Sequence, residues 1–252
     1  MIFLAMLRKE LVEQWRSRRL VAVAAVFLFF GFLSPLGAKL LPDLMKSLGD
    51  TGGIVIEFPT PTAQDGLLQH VKNTSQIGVF LAVLVTMGTL AQEKERGTAA
   101  MILSKPASRA SFLLSKFVSL TLIFGLCLTL GGLACYYYTI VLFKGIGEAC
   151  FVEMNLLLAL FIEFYLAVTL LGSTVARSQV AAGGLGLGAV FVAAILGALP
   201  RIGDYVPTAL LEWARVLMVG TGEPAWGAVA VSLGGIVICL CAALVVFERQ
   251  EL

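Results

Sequence analysis

Apolar residues fill this chain in runs of bilayer length, and short polar clusters separate the runs. About 20 apolar helical residues cross the ~30 Å hydrocarbon layer. A window of that size predicts spans over residues 20–36, 74–92, 117–143, 151–175, 180–199 and 226–247. The second is the least apolar, because its hydrophobic part, 77–91, is short and carries Thr86 and Thr89. The pattern predicts an all-α membrane protein, a six-transmembrane-helix bundle in one domain over 1–252.

The polar segments have patterns of their own. In residues 1–19, Leu4, Leu7, Leu11 and Trp15 recur at helical spacing, with Arg8, Lys9, Glu13 and Arg16 mostly elsewhere around the helix. This predicts an amphipathic helix lying on the membrane surface, its basic residues near anionic head groups. The connection 37–73 is interrupted by Pro42, Gly49, Gly52, Gly53, Pro59, Pro61 and Gly66, and it predicts pieces packed against the bundle. His70, the single histidine, falls there and reads as a surface polar residue with no metal partners around it.

Between spans two and three lies a charged island, Glu93, Lys94, Glu95, Arg96, Gly97 and Thr98, followed by Leu103, Ser104, Lys105, Pro106, Ser108, Arg109 and Lys116. Each such charge costs roughly 2.5–3.5 kcal/mol at the bilayer centre, so the island faces water. Gly97 permits a sharp turn, 98–103 can form a short helix that Pro106 ends, and Ser108 can cap the helix of the third span.

Composition and charge set the class. The chain is 59% hydrophobic and 13% charged, with a mean hydropathy of +0.94, far from a soluble domain. A net charge of +2 with no basic face gives nucleic acid nothing to bind. Six spans with the N-terminus inside place 12 of the 18 Lys and Arg residues in the cytoplasm, leaving Lys39, Lys46, Lys72, Lys144, Arg201 and Arg215 outside. Basic loops resist translocation, so both termini are expected to be cytoplasmic. A secretory signal is disfavoured, because the first apolar run exceeds the ~7–15 residues of a signal core.

Few residues inside the spans carry chemistry. Glu163 sits mid-span and reads either as a pathway or cation contact, or as a neutral acid hydrogen-bonded between helices. Gly184 and Gly188 form a small-xxx-small pair for helix packing, and Gly131, Gly132, Gly234 and Gly235 mark the third and sixth spans similarly. The five cysteines imply no disulfide framework and no metal set. Ser173 lacks an intramembrane histidine as base, which disfavours a hydrolase. A Gly-x-x-x-x-Gly-Lys-Ser/Thr phosphate loop does not occur, so ATP-driven work would need another chain. A secondary transporter or channel, or a membrane assembly subunit, are the alternatives.

The ordered run Glu93-Lys94-Glu95-Arg96-Gly97-Thr98, Leu103-Ser104-Lys105-Pro106, Ser108-Arg109 and Leu114-Ser115-Lys116 resembles the inner-loop pattern of the ABC transporter type 2 permease family. The amphipathic N-terminus, residues 170–182 and the Pro-containing connection near Pro207 are similar to that family's plan. The resemblance implies an exporter subunit in the cell (inner) membrane and a coupling helix within 93–116, seated on a cytoplasmic ATP-binding subunit. It further implies a second permease subunit completing the pathway, and outer re-entrant helices over 200–225. ATP and Mg would be bound by the partner ATPase and no cofactor by this chain.

Overall fold

A computed structural model describes residues 2–48, 60–98, 108–143, 148–220 and 223–250. The described residues are helical apart from short turns, and no strand occurs among them. In chain order the helices are α1 (Ile2–Arg16), α2 (Arg19–Leu48), α3 (Ala63–Thr86), α4 (Gly88–Glu95), α5 (Arg109–Phe143) and α6 (Glu148–Val175). They continue with α7 (Gln179–Gly197), a 3-10 turn (Gly203–Tyr205), α8 (Thr208–Val219) and α9 (Trp226–Arg249). Six segments are long and apolar enough to cross a membrane: Arg19–Pro42, Ala63–Glu95, Arg109–Phe143, Cys150–Val175, Gln179–Gly197 and Trp226–Arg249. The chain is a multi-pass membrane protein.

The second segment departs most from the hydropathy pattern. Its helix begins at Ala63 because Thr62 and Asp65 form a capping box: the Asp65 N–H donates to the Thr62 hydroxyl at 3.4 Å, and Asp65 Oδ2 accepts the Thr62 N–H at 2.8 Å. Residues 63–73 therefore belong to the bundle and not to a connection. His70 is buried, correcting the surface reading; it is 1% exposed, with its Nδ1 3.3 Å from the Thr74 hydroxyl. His70, Thr74 and Ser75 of this helix are buried against protein, which a hydropathy window cannot detect. On the other side of the connection, α2 runs through Pro35 and Pro42 instead of stopping near residue 36.

The central element is α6, which packs against α3, α4, α5, α7, α8 and α9. Met154, Leu158, Ile162, Leu166 and Leu170 recur every four residues on its buried face. Lipid is as apolar as these side chains, so close packing carries association here more than water exclusion does. The nearest approach is between α2 and α5: a Cβ on Gly31 would lie 2.3 Å from the Gly131 carbonyl oxygen. Only glycine permits this crossing. Conversely, Phe29, Phe191 and Ile238 are exposed on the outward faces of α2, α7 and α9, as lipid contact requires.

Within this chain the close glycine contacts of α7 fall on Gly183 and Gly186, beside the expected Gly184 and Gly188 pair. A Cβ on Gly184 or Gly188 would meet nothing within 4 Å, whereas Gly183 faces Met87 and Gly186 faces Thr169 and Val83. A period of 3.6 fixes which residues share a face but not which face turns inward. Within 200–225, α8 has 12 residues, about 18 Å of helix, too short to cross. It docks on α3 and α6 through Leu210, Trp213, Ala214 and Met218.

Candidate coupling hub at the terminal end of the bundle

The charged island springs from the end of the bundle that also holds both ends of the chain. This follows from three sets of side-chain ties, which together join the root of the 93–109 connection to α1, α5, α6 and α9.

The first tie is a hydroxyl inserted into a helix. Ser173 Oγ accepts the N–H groups of Leu90 at 3.1 Å and Ala91 at 3.0 Å, and donates to the Met87 carbonyl at 2.9 Å. These backbone groups would otherwise bond along their own helix, and their diversion marks the break between α3 and α4. Ser173 is fully buried and its hydroxyl is saturated, with one proton given and two accepted. Ser173 thereby ties α4 to α6 directly.

The second tie is made by cations at helix C-termini. Lys94 Nζ donates to the carbonyls of Thr174 and of Ala176 (3.0 Å), and to Gln250 Oε1 (3.4 Å). Gln250 Nε2 donates to the same Thr174 carbonyl at 2.9 Å. Arg109 donates to the carbonyls of Phe247, Glu248 (3.0 Å) and Gln250 (2.8 Å), with its guanidinium 5.7 Å from the Phe247 ring centroid. Orphan carbonyls and the negative end of the helix dipole make these termini good seats for cations. Lys94 thus holds α6, and Arg109 holds α9.

The third tie is an ion cluster around Lys116. Its Nζ is 2.9 Å from Glu93 Oε1 and 3.1 Å from Glu10 Oε1, with the side chain 1% exposed. Lys9 joins from the rim, 3.1 Å from Glu10, 3.2 Å from Glu13 and 3.5 Å from Glu93. Burial works to lower the pKa of the Lys9 ammonium, but the carboxylates of Glu10, Glu93 and Glu13 outweigh it and hold that pKa above its usual value. The amphipathic N-terminal helix consequently turns Glu10 and Gln14 into the bundle and leaves Leu4 and Trp15 exposed. In this way α1 is tied to α4 and α5.

A family profile of ABC-2 family transporter proteins matches residues 4–252. The chain belongs to the ABC-2 transporter family. A relative of this ABC-2 protein, the "Uncharacterized transmembrane protein YxlG" of Bacillus subtilis, is 26% identical over 220 residues, covering 86% of this chain and 85% of that protein.

The charged motif of this ABC-2 protein divides into two sets. Glu93 and Lys94 turn inward as anchors, while Glu95, Arg96 and Gly97 are exposed. Gly97 has φ +70°, a left-handed conformation that favours glycine, and the Thr98 hydroxyl donates back to the Glu93 carbonyl at 3.2 Å. Ser108 caps α5 through the Ser111 N–H at 3.1 Å. Leu103, Ser104 and Pro106 lie outside the described residues. Far from this hub, Glu163 accepts a hydrogen bond from the Thr121 hydroxyl across the α5–α6 interface.

Sequence reasoning missed Ser173 as a structural tie, although it lies in the 170–182 segment that resembles the family. It also missed Glu10, whose partner Lys116 is 106 positions away. No local pattern signals such a pair.

Proposed function

We propose that this ABC-2 protein is the membrane-spanning permease subunit of an ATP-driven exporter, and that residues 93–104 receive the motion of a separate cytoplasmic ATP-binding subunit. The observation carrying this reading is the division of labour in the motif. Exposed Glu95, Arg96 and Gly97 offer a docking surface, and the residues on either side are bolted to α1, α6 and α9. A force applied to the exposed turn meets anchored residues at its root, because Glu93 and Lys94 are tied to α1, α5 and the end of α6.

In this reading both termini and the 93–109 connection face the cytoplasm, in agreement with the distribution of Lys and Arg. Mg and ATP are held by the partner. A second permease subunit completes the pathway, and the 200–225 segment caps its outer end. ATP binding closes the ATPase pair and biases the bundle between states of different access, an effect limited by the difference in affinity for the two states.

The test is reconstitution with the cognate ATP-binding subunit in lipid vesicles. Glu95→Lys and Gly97→Pro are expected to abolish permease-stimulated ATP hydrolysis and ATP-dependent transport while leaving membrane insertion intact. Normal stimulation in either variant would overturn the coupling assignment.

A further inference from the structure

Two cavities follow one another along the seam between α5 and α6. Their volumes are about 670 and 350 Å³, and they share Gly125, Leu128 and Ala159, so they form one elongated space of the size of a small-molecule site. Both helices are membrane spans, and the seam is edged by exposed Leu133, Val152 and Leu156. Its mouth therefore opens on hydrocarbon, and whatever enters comes from the bilayer.

The walls are chiefly apolar, with Phe117, Phe124, Leu160 and Ile236 around the smaller cavity. Glu163 is the one acidic side chain lining either cavity, and no Lys or Arg lines them, among the described residues. Thr121 is its single hydrogen-bond partner among those residues. A carboxyl at membrane depth with one neutral donor lacks a counter-ion, so a ligand that brings a proton-bearing nitrogen satisfies it best. A head group that is itself a carboxylate or phosphate would place like charge against Glu163.

We propose that the α5–α6 seam binds a cationic amphiphile, its amine against Glu163 and its apolar chain lying along α6 toward Val152. Val152 and Glu163 are eleven residues apart, about 16 Å along the helix, which gives the chain an extended apolar bed. The nitrogen and the carboxyl together are neutral whichever of them holds the proton, so the pair does not burden the membrane interior with net charge. Such a site needs neither ATP nor the ATP-binding subunit, and its failure would leave the coupling proposal standing.

The experiment uses the full chain in nanodiscs of zwitterionic lipid and, as probe, dodecylamine carrying a diazirine at the end of its chain. Photolysis followed by peptide mass spectrometry is expected to mark α5 and α6 along the seam. Glu163→Gln should reduce that labelling about tenfold. Dodecanol bearing the same diazirine should label wild type and Glu163→Gln alike. Gly125→Leu provides the second variant: a Cβ there meets nothing within 4 Å, so the side chain grows into the cavity and should block the amine while Glu163 remains. Equal amine labelling in wild type and Glu163→Gln would overturn the proposal. So would undiminished labelling of Gly125→Leu, or labels that avoid the seam.

Discussion

Replacing Lys116 by Met tests the ion cluster that ties α1 to the coupling root. The methionine keeps the length and apolar stem but removes the cation that Glu10 and Glu93 share at 3.1 and 2.9 Å. Carboxylate oxygens of Glu10, Glu13 and Glu93 lie within 4.8 Å of one another. At an effective dielectric of about 20, two unit charges at that separation repel by about 3.5 kcal/mol. Removal of one partner from a buried pair costs about 3–5 kcal/mol by a separate line of evidence. Lys9 stays in contact but its side chain is 44% exposed, so it offsets only part of the loss. We expect undocking of α1 to become easier by about 3 kcal/mol, roughly a hundredfold in the open population. Gln14, 4% exposed on the docked face of α1, reports this directly. In a chain whose native cysteines are replaced, thiol labelling of Gln14→Cys should accelerate roughly a hundredfold with Lys116→Met. Adding Glu10→Gln should recover a large part of the difference, since one of the stranded charges is gone. Labelling unchanged by Lys116→Met, or unrelieved by Glu10→Gln, would refute the reasoning.

Other expectations follow from single contacts. Ser173→Ala strands the N–H groups of Leu90 and Ala91 and should cost about 1–3 kcal/mol, seen as a lower melting temperature of the purified protein; an unchanged melt would show that the serine is not a tie. Gly97→Ala forces a side chain into a left-handed turn at a cost of about 1 kcal/mol, so it should weaken permease-stimulated ATP hydrolysis more than Gly97→Asn does. Gly31→Ala should abolish monodisperse folded protein in size-exclusion chromatography, because its Cβ would strike the α5 backbone, whereas Gly184→Ala should leave the folded chain unaffected.

What was legible in the sequence is set by the range of each signal. Five spans declare themselves because their outward faces meet lipid and need long apolar runs. The second conceals eleven residues of its start, since His70, Thr74 and Ser75 turn toward other helices, and the Thr62/Asp65 box is a stronger marker than hydropathy there. The order of the charged motif was readable, as was Ser108 as a cap. The inward turn of Glu93 and Lys94 was not, because it depends on partners in α1, α5, α6 and the segment after α9. Gly184 and Gly188 show the same limit: spacing identifies a face, and only the assembled bundle shows which way that face points.

The most direct test of the coupling assignment is labelling of Glu95→Cys, in a chain whose native cysteines are replaced, with a membrane-impermeant maleimide. The account predicts labelling in inside-out vesicles, protection there when the ATP-binding subunit is added, and none from outside intact cells. Labelling from the exterior of intact cells, or indifference to the added subunit, would contradict it.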